Sequence, residues 1–430
     1  MVEGIAQAAS RMMPAILNGK PEADDMNVRE AVLTVDETQT SFLEHGPSLI
    51  ERAARTATVA AADADGVDRD ARFPHKAFEV AREQKLLGVM IPAEFGGFGA
   101  SIHDATDVCY TLGRACASTA MIYAMHTTKV ACVVRHGHGI PWMETMMRRV
   151  ARDQWLLASS TTEGQNGGNI RASAAAVDVA GDTVSLLRDA TVISYGAEAD
   201  GLVTIARRAT DASASDQVLL ALARDDYSLK RTLGWETLGM RGTCSTGFEL
   251  KVDCPTDRVF PESYDKIHAQ TMTPFAHLCW SSAWAGIAAA AVTRAQAFVR
   301  KAARTSGGQM PPAAAHFTAA KMSLAKLRAL ISANIDAFAL AEHDERALGS
   351  LDFQSSITLL KVQASELAVE TVMHAMRTAG LSGYRNDGEF TMGRHLRDVL
   401  SSPIMINNDR ILANAATSTL MSGVPTSLRD

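Results

Sequence analysis

Residues 174–194, AAAVDVAGDTVSLLRDATVIS, interrupt a chain whose sequence is otherwise dominated by alanine-rich helical patterns. The stretch consists of short β-branched runs separated by glycine, aspartate and serine, and similar runs follow as far as residue 260. Runs of this kind, bounded by turn residues, are typical of β-strands. The stretch therefore predicts that an all-β insert of about a hundred residues divides a helical protein.

The sequence on either side of this insert has the periodicity of helices. Apolar residues recur three and four positions apart from residue 40 to about residue 152, and the helical pattern resumes near residue 263. Segments of one class followed by segments of another favour separate layers or domains over a doubly wound sheet. We predict an α+β fold that is mainly α, with a loose extension at 1–38, a helical domain at 39–153, a β domain at 154–262 and a helical bundle at 263–430.

The composition argues against several classes of protein. A formal net charge of −6 gives the chain no basic field for phosphate groups, so we expect no nucleic-acid partner. The six cysteines include no CxxC pair, which predicts reduced thiols and neither a disulfide scaffold nor a zinc site. Because there is no HExxH motif and no evident signal peptide, we expect no metal and a cytoplasmic location.

The longest uncharged run, residues 271–293, is long enough to suggest a membrane-spanning helix. However, alanine, serine and threonine dominate it, and it contains Pro274 and His277. We interpret it as a helix buried in a bundle or at a subunit interface, with no membrane span. Because the run is too uniformly small and apolar for an exposed face, we also predict a homo-oligomer, a tetramer before a dimer.

Two glycine-containing loops beside predicted strands are candidate ligand sites. Residues 159–173, SSTTEGQNGGNIRAS, combine hydroxyl groups, one acid and three glycines. Small residues let a planar ligand approach the backbone, and serine or threonine hydroxyls form hydrogen bonds with a heterocycle or a phosphate. A plain loop explains this segment equally well, and residues 238–255 contain a similar glycine-rich turn that enters a strand.

Five motifs, in their order along the chain, carry a resemblance to a known family. They are LGVMIPAEFGGFGAS at 87–101, ASSTTEGQNGG at 158–168, ISYGAEADGLVTIAR at 193–207, LGMRGTCSTGFEL at 238–250, and AGLSGY at 379–384 with GRHLRD at 393–398. In this order they resemble the acyl-CoA dehydrogenase superfamily of FAD-containing flavoproteins, over nearly all of the chain from residue 40 to 415. The resemblance implies an enzyme with an N-terminal helical domain, a middle β-barrel-like domain and a C-terminal four-helix bundle, assembled as a tetramer or dimer.

The resemblance also implies a flavin-ring site between the β domain and the bundle. By motif position, Thr161 and Thr162 line the pyrimidine edge of the ring, and Ser194 places its hydroxyl near flavin N5. Gly167 lies in the loop where substrate and flavin meet. Asn407-Asn408 stands where the family has a glycine and a threonine near the ring.

The remainder of FAD has weaker counterparts in this sequence. The family's arginine that reaches a neighbouring subunit's pyrophosphate falls on Arg304 or Arg300, although the Phe that normally follows it is absent from VRKAARTSGG. A solvated helix face is the alternative for either arginine. Gly380 lies in the turn that the resemblance places against the adenine-dinucleotide portion.

The base expected for the family's usual reaction is missing from its usual positions. That reaction removes the α-proton of an acyl thioester while the β-hydrogen leaves as hydride, and it needs a carboxylate base in a dry pocket. The two family positions for this base fall on Ile406 and Ala276, and neither is an acid. His277 adjoins the second position, and a slip of three residues brings Asp409 to the first. A buried core histidine and a helix cap are the alternatives, so the base stays unassigned.

Two reactions and one non-catalytic role agree with these motifs. The sequence favours FAD-dependent α,β-dehydrogenation of an acyl thioester, on CoA or a carrier, with an atypical base and an external electron acceptor. The alternative is a monooxygenase that uses oxygen and reduced flavin from a flavin reductase, and it needs no carboxylate. Its oxygenating relatives often carry a histidine soon after the Arg-Asp pair, and residues 399–409 contain none. The third reading is a flavin-binding subunit that has lost catalysis.

Overall fold

The computed structural model describes residues 47–164, 170–421, 423–424 and 426–427. Almost all of them belong to one compact unit, which runs from Ser48 to Asp430. The predicted N-terminal extension, residues 1–38, and Gly167 lie outside the described residues.

Five helices form the N-terminal part of this unit. The hydroxyls of Ser48 and Ser101 begin two of them, because each accepts a hydrogen bond from the backbone N–H three residues later. The acids at those later positions, Glu51 and Asp104, bond back to the serine N–H and complete two capping boxes. Pro141 begins the fifth helix, where no N–H is needed. The bounds are α1 Leu49–Asp70, α2 His75–Glu83, α3 Ile102–Gly113, α4 Ala117–His136 and α5 Pro141–Asp153.

The next part of the described chain consists of strands. Their bounds are β1 Leu157–Ser160, β2 Asp178–Ala180, β3 Thr183–Ile193, β4 Gly201–Arg207, β5 Gln217–Ala223, β6 Tyr227–Leu233 and β7 Thr246–Pro255. One sheet has the order β1-β4-β5, and the other has the order β2-β3-β7-β6. Strand β3 alternates exposed and buried residues, which is expected for a sheet with one wet face, whereas β4 and β5 are buried on both faces.

Helices resume after β7 and build the C-terminal bundle. Their bounds are α6 Tyr264–Ile267, α7 Thr273–Thr305, α8 Ala314–Ala341, α9 Glu345–Leu348, α10 Leu351–Ala379, α11 Leu381–Tyr384, α12 Gly393–Val399 and α13 Asn408–Met421. A π-helical turn, His268–Met272, joins α6 to α7. Helix α10 packs against α7, α8 and α13, so these four helices form the bundle.

The structure confirms the predicted mainly α fold with helical, sheet and helical parts in that order. Among the described helices, the continuous stretch Tyr264–Thr305 is the one long and apolar enough to cross a membrane, yet 94% of its most apolar window is buried inside the protein. Helix α7 packs against α3, α4, α8 and α10 of its own chain. Its composition therefore gives no reason to expect a subunit interface, and the homo-oligomer prediction does not follow from this helix.

Candidate active site

A cavity of about 540 Å³ lies where the three parts of the chain meet. Helix α4, the ends of β1 and β3, the turn before β7, the start of α7 and the segment after α12 all contribute to it. Its wall is mostly apolar, and six of its residues are Met121, Met125, Met272, Leu400, Ile404 and Met405. A few hydroxyl and nitrogen groups interrupt this wall, which is the usual composition of a small-molecule site.

Three hydroxyl groups form a chain along one side of the cavity. The Oγ atoms of Ser194 and Ser245 are 2.7 Å apart, and Ser245 Oγ is 2.7 Å from Thr243 Oγ1. Thr243 donates its hydrogen to the Met240 carbonyl at 2.8 Å, so it accepts from Ser245, which in turn accepts from Ser194. The oxygen of Ser194 is then left as a hydrogen-bond acceptor for a ligand in the cavity.

The two threonines predicted at the pyrimidine edge also line the cavity. Thr161 and Thr162 follow β1, and Thr162 Oγ1 donates to the Val192 carbonyl at 3.4 Å. The next residue, Glu163, is buried outside the lining and lies 3.0 Å from the Arg188 guanidinium. It also accepts from the backbone N–H of Ala174 at 2.6 Å. This glutamate therefore holds the sheet together and is not a group of the cavity.

His277 lines the cavity as a neutral imidazole. Its Nδ1 lies 2.8 Å from the Ile357 carbonyl and must donate to it, which leaves Nε2 as an acceptor. Burial lowers the pKa of His277 to about 4, so the ring is uncharged at neutral pH. His277, a base candidate in the sequence, therefore lies at the cavity in a form that accepts a hydrogen bond.

Two cavity residues that the sequence analysis missed carry buried nitrogen groups. Lys129 on α4 is 4% exposed, and its ammonium has the Met272 thioether at 3.3 Å as its hydrogen-bond partner. Trp280 on α7 is 8% exposed, and its indole N–H has no hydrogen-bond partner in the described part of the chain. A signal for Lys129 existed in the sequence, since it is the single Asp, Glu, Lys or Arg between Arg114 and Arg135.

The described lining of the cavity is free of acidic side chains. None of the described residues that line the cavity is an aspartate or a glutamate. Ile406 and Ala276, the two positions where the family resemblance places a base, both line the cavity and are both apolar. The unassigned base of the sequence analysis is thus not replaced by a nearby carboxylate.

The segment from Asn407 to Asp409 lies outside the lining, contrary to the expectation for it. Asn407 is exposed with a φ of 21°, and its Oδ1 accepts from the backbone N–H of Asp409 at 2.9 Å and of Arg410 at 3.3 Å, which begins α13. Asn408 is buried and accepts from the Lys361 ammonium at 2.7 Å. Asp409 is exposed in the first turn of α13, where a carboxylate favours a helix start. These positions give no support to flavin contacts at the asparagines or to a base at Asp409.

The Arg-Asp pair connects the bundle with both other parts of the chain. Arg397 lines the cavity, donates to Asp68 of α1 at 2.9 Å and to the Leu238 carbonyl at 3.0 Å. Asp398 is buried and accepts from the Met240 N–H at 2.7 Å, and burial raises the pKa of its carboxyl to about 6. The pair therefore fixes the turn that carries the cavity residues Leu238 and Met240.

The remaining predicted contacts lie away from the cavity. Arg304 is exposed near the end of α7, and Arg300 is exposed one turn earlier. Gly380 ends α10 with a φ of 55° and a ψ of −133°, a conformation that essentially only glycine adopts. Their roles toward a dinucleotide stay predictions.

The sequence matches two family models. The model described as acyl-CoA dehydrogenase, N-terminal domain, matches residues 48–139, and the model described as acyl-CoA dehydrogenase, C-terminal domain, matches residues 269–416. The two matches together cover more than half of the chain.

Relatives in sequence and in structure differ in the reactions that their names describe. The chain is 30% identical over 202 residues to the amino sugar nitrososynthase RubN8 of Streptomyces rubradiris, and this alignment covers 44% of either protein. It is 23% identical over 362 residues to a cyclohex-1-ene-1-carbonyl-CoA dehydrogenase of Syntrophus aciditrophicus, which covers 80% of this chain and 82% of the relative. The FMN-bound structure of TdsC from Paenibacillus sp. A11-2 has the same fold, with a TM-score of 0.77 at 18% identity over 88% of this chain and 98% of that one.

Proposed function

Because the chain belongs to the acyl-CoA dehydrogenase family of flavin-dependent oxidoreductases, we propose that it is a monooxygenase of that family. Such an enzyme uses reduced flavin and molecular oxygen to oxidise a small molecule. The observation that carries the proposal is the absence of any aspartate or glutamate among the described residues that line the cavity.

The absence of acids among the described lining residues favours the monooxygenase because, of the two reactions, only dehydrogenation needs a carboxylate. α,β-Dehydrogenation of a thioester removes an α-proton, and a positioned base typically contributes about 10²–10⁴-fold to such a step. Ala276 and Ile406 cannot take a proton. His277 lies beside Ala276, but burial holds its pKa at about 4, and a base with so low a pKa is poorly matched to neutral pH. A monooxygenase has no such requirement.

The relatives support either member of this pair, so the proposal rests on the residues of the cavity. RubN8 is named a nitrososynthase and matches with the higher identity, whereas the cyclohexene-carbonyl-CoA dehydrogenase matches over the longer span. TdsC, whose structure holds FMN, shares the fold at low identity. Dehydrogenation with His277 as an atypical base is the second candidate, and the long match to the dehydrogenase is the finding in its favour.

The residues of the cavity fit a flavin ring. A planar apolar ring needs a flat apolar wall and a few polar groups at its edge. Thr161 and Thr162 offer hydroxyls at the predicted pyrimidine edge, and the Trp280 side chain is part of the wall. Ser194 is arranged to accept a hydrogen bond, which suits the N5–H that a flavin carries in its reduced form. When bound and reduced, the flavin supplies the electrons that activate oxygen.

The family resemblance makes FAD the expected flavin, although the structure of TdsC holds FMN. Arg304 and Gly380 are the residues that we propose for the dinucleotide portion, and both lie outside the cavity that fits the ring. Heat release of the flavin followed by chromatography identifies it. If FMN is recovered, the proposed ring site still holds, but the proposed roles of Arg304 and Gly380 toward a dinucleotide are wrong.

The residues of the cavity orient the substrate and exclude water from the reaction. Met121 and Met125 cover one side of the cavity and exclude water, which protects a reactive oxygen species from wasteful decay. The Nε2 atom of His277 accepts a hydrogen bond from an N–H or O–H of the substrate and so orients it. Ser194 is held by Ser245, so its acceptor oxygen keeps a fixed direction.

Isotope incorporation tests the proposed function. We expect that the flavin-loaded protein, supplied with a flavin reductase, NADH and ¹⁸O₂, transfers one ¹⁸O atom to an acceptor from a panel of amines, indoles and thiophenes, each with and without a carboxylate substituent, as measured by mass spectrometry. Catalase in the assay removes peroxide and controls for oxidation in free solution. A panel product that carries ¹⁸O in the presence of catalase supports the proposal, and products labelled only without catalase contradict it.

A further inference from the structure

The cavity contains a buried lysine with no salt-bridge partner among the described residues. Lys129 is 4% exposed, forms no salt bridge in the described part of the chain, and has a thioether as its hydrogen-bond partner. Removing an ammonium from water costs several kcal/mol unless an anion pairs with it, so a buried lysine of this kind calls for a counter-charge.

The titratable groups near Lys129 on its own helix, on the turn before α7 and on α7 are neutral at pH 7. On its own helix, Cys132 has its pKa raised to about 11 by burial. From the turn before α7 and from α7, burial lowers the pKa of His268 to about 3 and that of His277 to about 4. Burial also raises the pKa of the Tyr264 phenol, whose hydroxyl contacts Met272. Among the described residues, no acid therefore pairs with the ammonium of Lys129.

Lys129 lies at the end of the cavity that is distant from the hydroxyl chain. The turn with Thr243 and Ser245 packs on α4 at Ser118, because a Cβ atom on Gly242 would lie 3.0 Å from the Ser118 Cβ. Lys129 follows Ser118 by eleven residues, and a helix rises about 1.5 Å per residue, so roughly 16 Å of helix separates them. A flavin ring held at Ser194 leaves Lys129 facing the substrate.

We propose that Lys129 binds a carboxylate of the substrate at the end of the cavity opposite Ser194. The substrate is thus a small, largely apolar molecule that carries one anionic group, and Lys129 determines this specificity. The hydroxyls of Thr128 and Thr273 also line the cavity and complete the polar surroundings. The inference deepens the proposed function, since the molecule bound here is the one that the proposed reaction oxidises.

Matched pairs of probes test the inference without any turnover. Phenylacetate and phenylacetamide have the same shape and differ in charge, as do indole-3-acetate and indole-3-acetamide. We expect the flavin-loaded protein to bind each carboxylate more tightly than its amide in calorimetric titrations at pH 7. In Lys129→Met, the affinity for the carboxylates falls roughly 10–100-fold, the scale of a lost charge-assisted hydrogen bond, while the affinities for the amides and the flavin stay unchanged.

The other buried lysine supplies the control. Lys361 is fully buried, its pKa is lowered to about 8 as is that of Lys129, and it donates to Asn408 outside the cavity. Lys361→Met should keep the preference for carboxylates. Lys129→Arg keeps the charge and should keep the preference as well. It tests the role of the charge even if Lys129→Met folds poorly.

Equal affinities of the wild type for acid and amide would overturn the inference. So would a preference that survives in Lys129→Met, or a loss of flavin affinity in that variant without any change in probe preference. These titrations need neither oxygen nor a reductant. Their failure therefore leaves the monooxygenase proposal standing, and failure of ¹⁸O incorporation leaves the binding result standing.

Discussion

At the scale of single residues, the cavity combines acceptors and donors whose directions are fixed by their neighbours. Ser194 is an acceptor because its own hydrogen is donated to Ser245, which donates in turn to Thr243. His277 Nε2 is an acceptor because Nδ1 carries the hydrogen that is donated to the Ile357 carbonyl. The Trp280 N–H is buried and has no hydrogen-bond partner among the described residues. A ligand that satisfies Ser194 and His277 needs an N–H or O–H group for each of them.

The hydroxyl chain predicts a phenotype for Ser245→Ala. Without Ser245, Ser194 loses its hydrogen-bond partner and rotates freely, so it no longer presents a fixed acceptor to the flavin. We expect flavin affinity to fall about 2–10-fold, the scale of one hydrogen bond, in fluorescence titrations. Ser228→Ala, at an exposed position of β6, is the matched control and should bind flavin as the wild type does. An unchanged affinity in Ser245→Ala would refute the role given to the chain.

Buried histidines predict that acid destabilises the protein. Burial lowers the pKa of His126 and His277 to about 4 and that of His395 to about 3, whereas an unfolded histidine titrates near 6.5. Below pH 6.5 the unfolded state therefore binds more protons than the folded state, and the free energy of unfolding falls as the pH falls toward 4. The raised pKa of Asp398 has the opposite effect, because it increases the free energy of unfolding as the pH falls from 6 to 3.8. The contribution of this one carboxyl group is smaller than the combined contribution of the three histidines.

Urea unfolding at pH 7.5, 6.5, 5.5 and 4.5 measures this dependence. We expect the free energy of unfolding to fall over the three lower values, and the fall to be shallower in His277→Gln. A free energy that is constant or rises between pH 6.5 and 4.5 would show that these histidines are not buried in their neutral form.

At the scale of elements, helix α12 works as a connector. Arg397 reaches α1 through Asp68, and Asp398 holds the turn at Met240. The turn comes so close to α12 that a Cβ atom on Gly239 would lie 2.1 Å from the Arg397 carbonyl oxygen. Glycine is therefore required at position 239 by the close approach of two backbones.

Gly239→Ala should consequently destabilise the protein. The backbone oxygen of Arg397 cannot move without disturbing Asp398, so we expect a loss of about 1–3 kcal/mol, the range for overpacking. Gly234→Ala is the control, because a Cβ atom there would meet only the end of the Arg231 side chain at 3.8 Å. Thermal unfolding of the two variants compares them, and equal midpoints would contradict the tight contact.

The sequence predicted elements better than it predicted which residues face the cavity. Thr161, Thr162, Ser194 and His277, which the family resemblance placed at the flavin or the substrate, all line the cavity. The contacts predicted for Asn407, Asn408 and Asp409 are not supported. Asn407 begins a new helix, and all three residues lie outside the lining of the cavity. Lys129 was overlooked because a lone lysine in an apolar helix has no motif, and its position only becomes meaningful once α4 meets α7.

At the scale of the whole molecule, the C-terminal helices leave apolar side chains in contact with solvent. The largest exposed fractions in the bundle include Leu340, Leu381, Tyr384 and Leu420. Exposed apolar groups of this kind often mark an interface between proteins. The family resemblance predicts a homo-oligomer, and these side chains suggest where it would form.

Light scattering coupled to size exclusion tests the assembly. We expect a tetramer or a dimer at micromolar concentration, and a shift toward monomer in a variant that combines Leu381→Ser with Tyr384→Ser. Met121→Leu, a change inside the cavity of the same chain, should leave the assembly unchanged. A wild type that elutes as a monomer would refute the prediction.

The central claim is that the described residues of the cavity supply no base for thioester dehydrogenation, and one measurement tests it directly. The oxidised flavin of the purified protein is titrated without oxygen with butyryl-CoA, octanoyl-CoA and cyclohex-1-ene-1-carbonyl-CoA, and its absorbance near 450 nm is followed. With neither Ala276 nor Ile406 able to take a proton, the absorbance stays unchanged. Rapid bleaching by any of the three thioesters would show that the protein is a dehydrogenase after all, with a base such as His277.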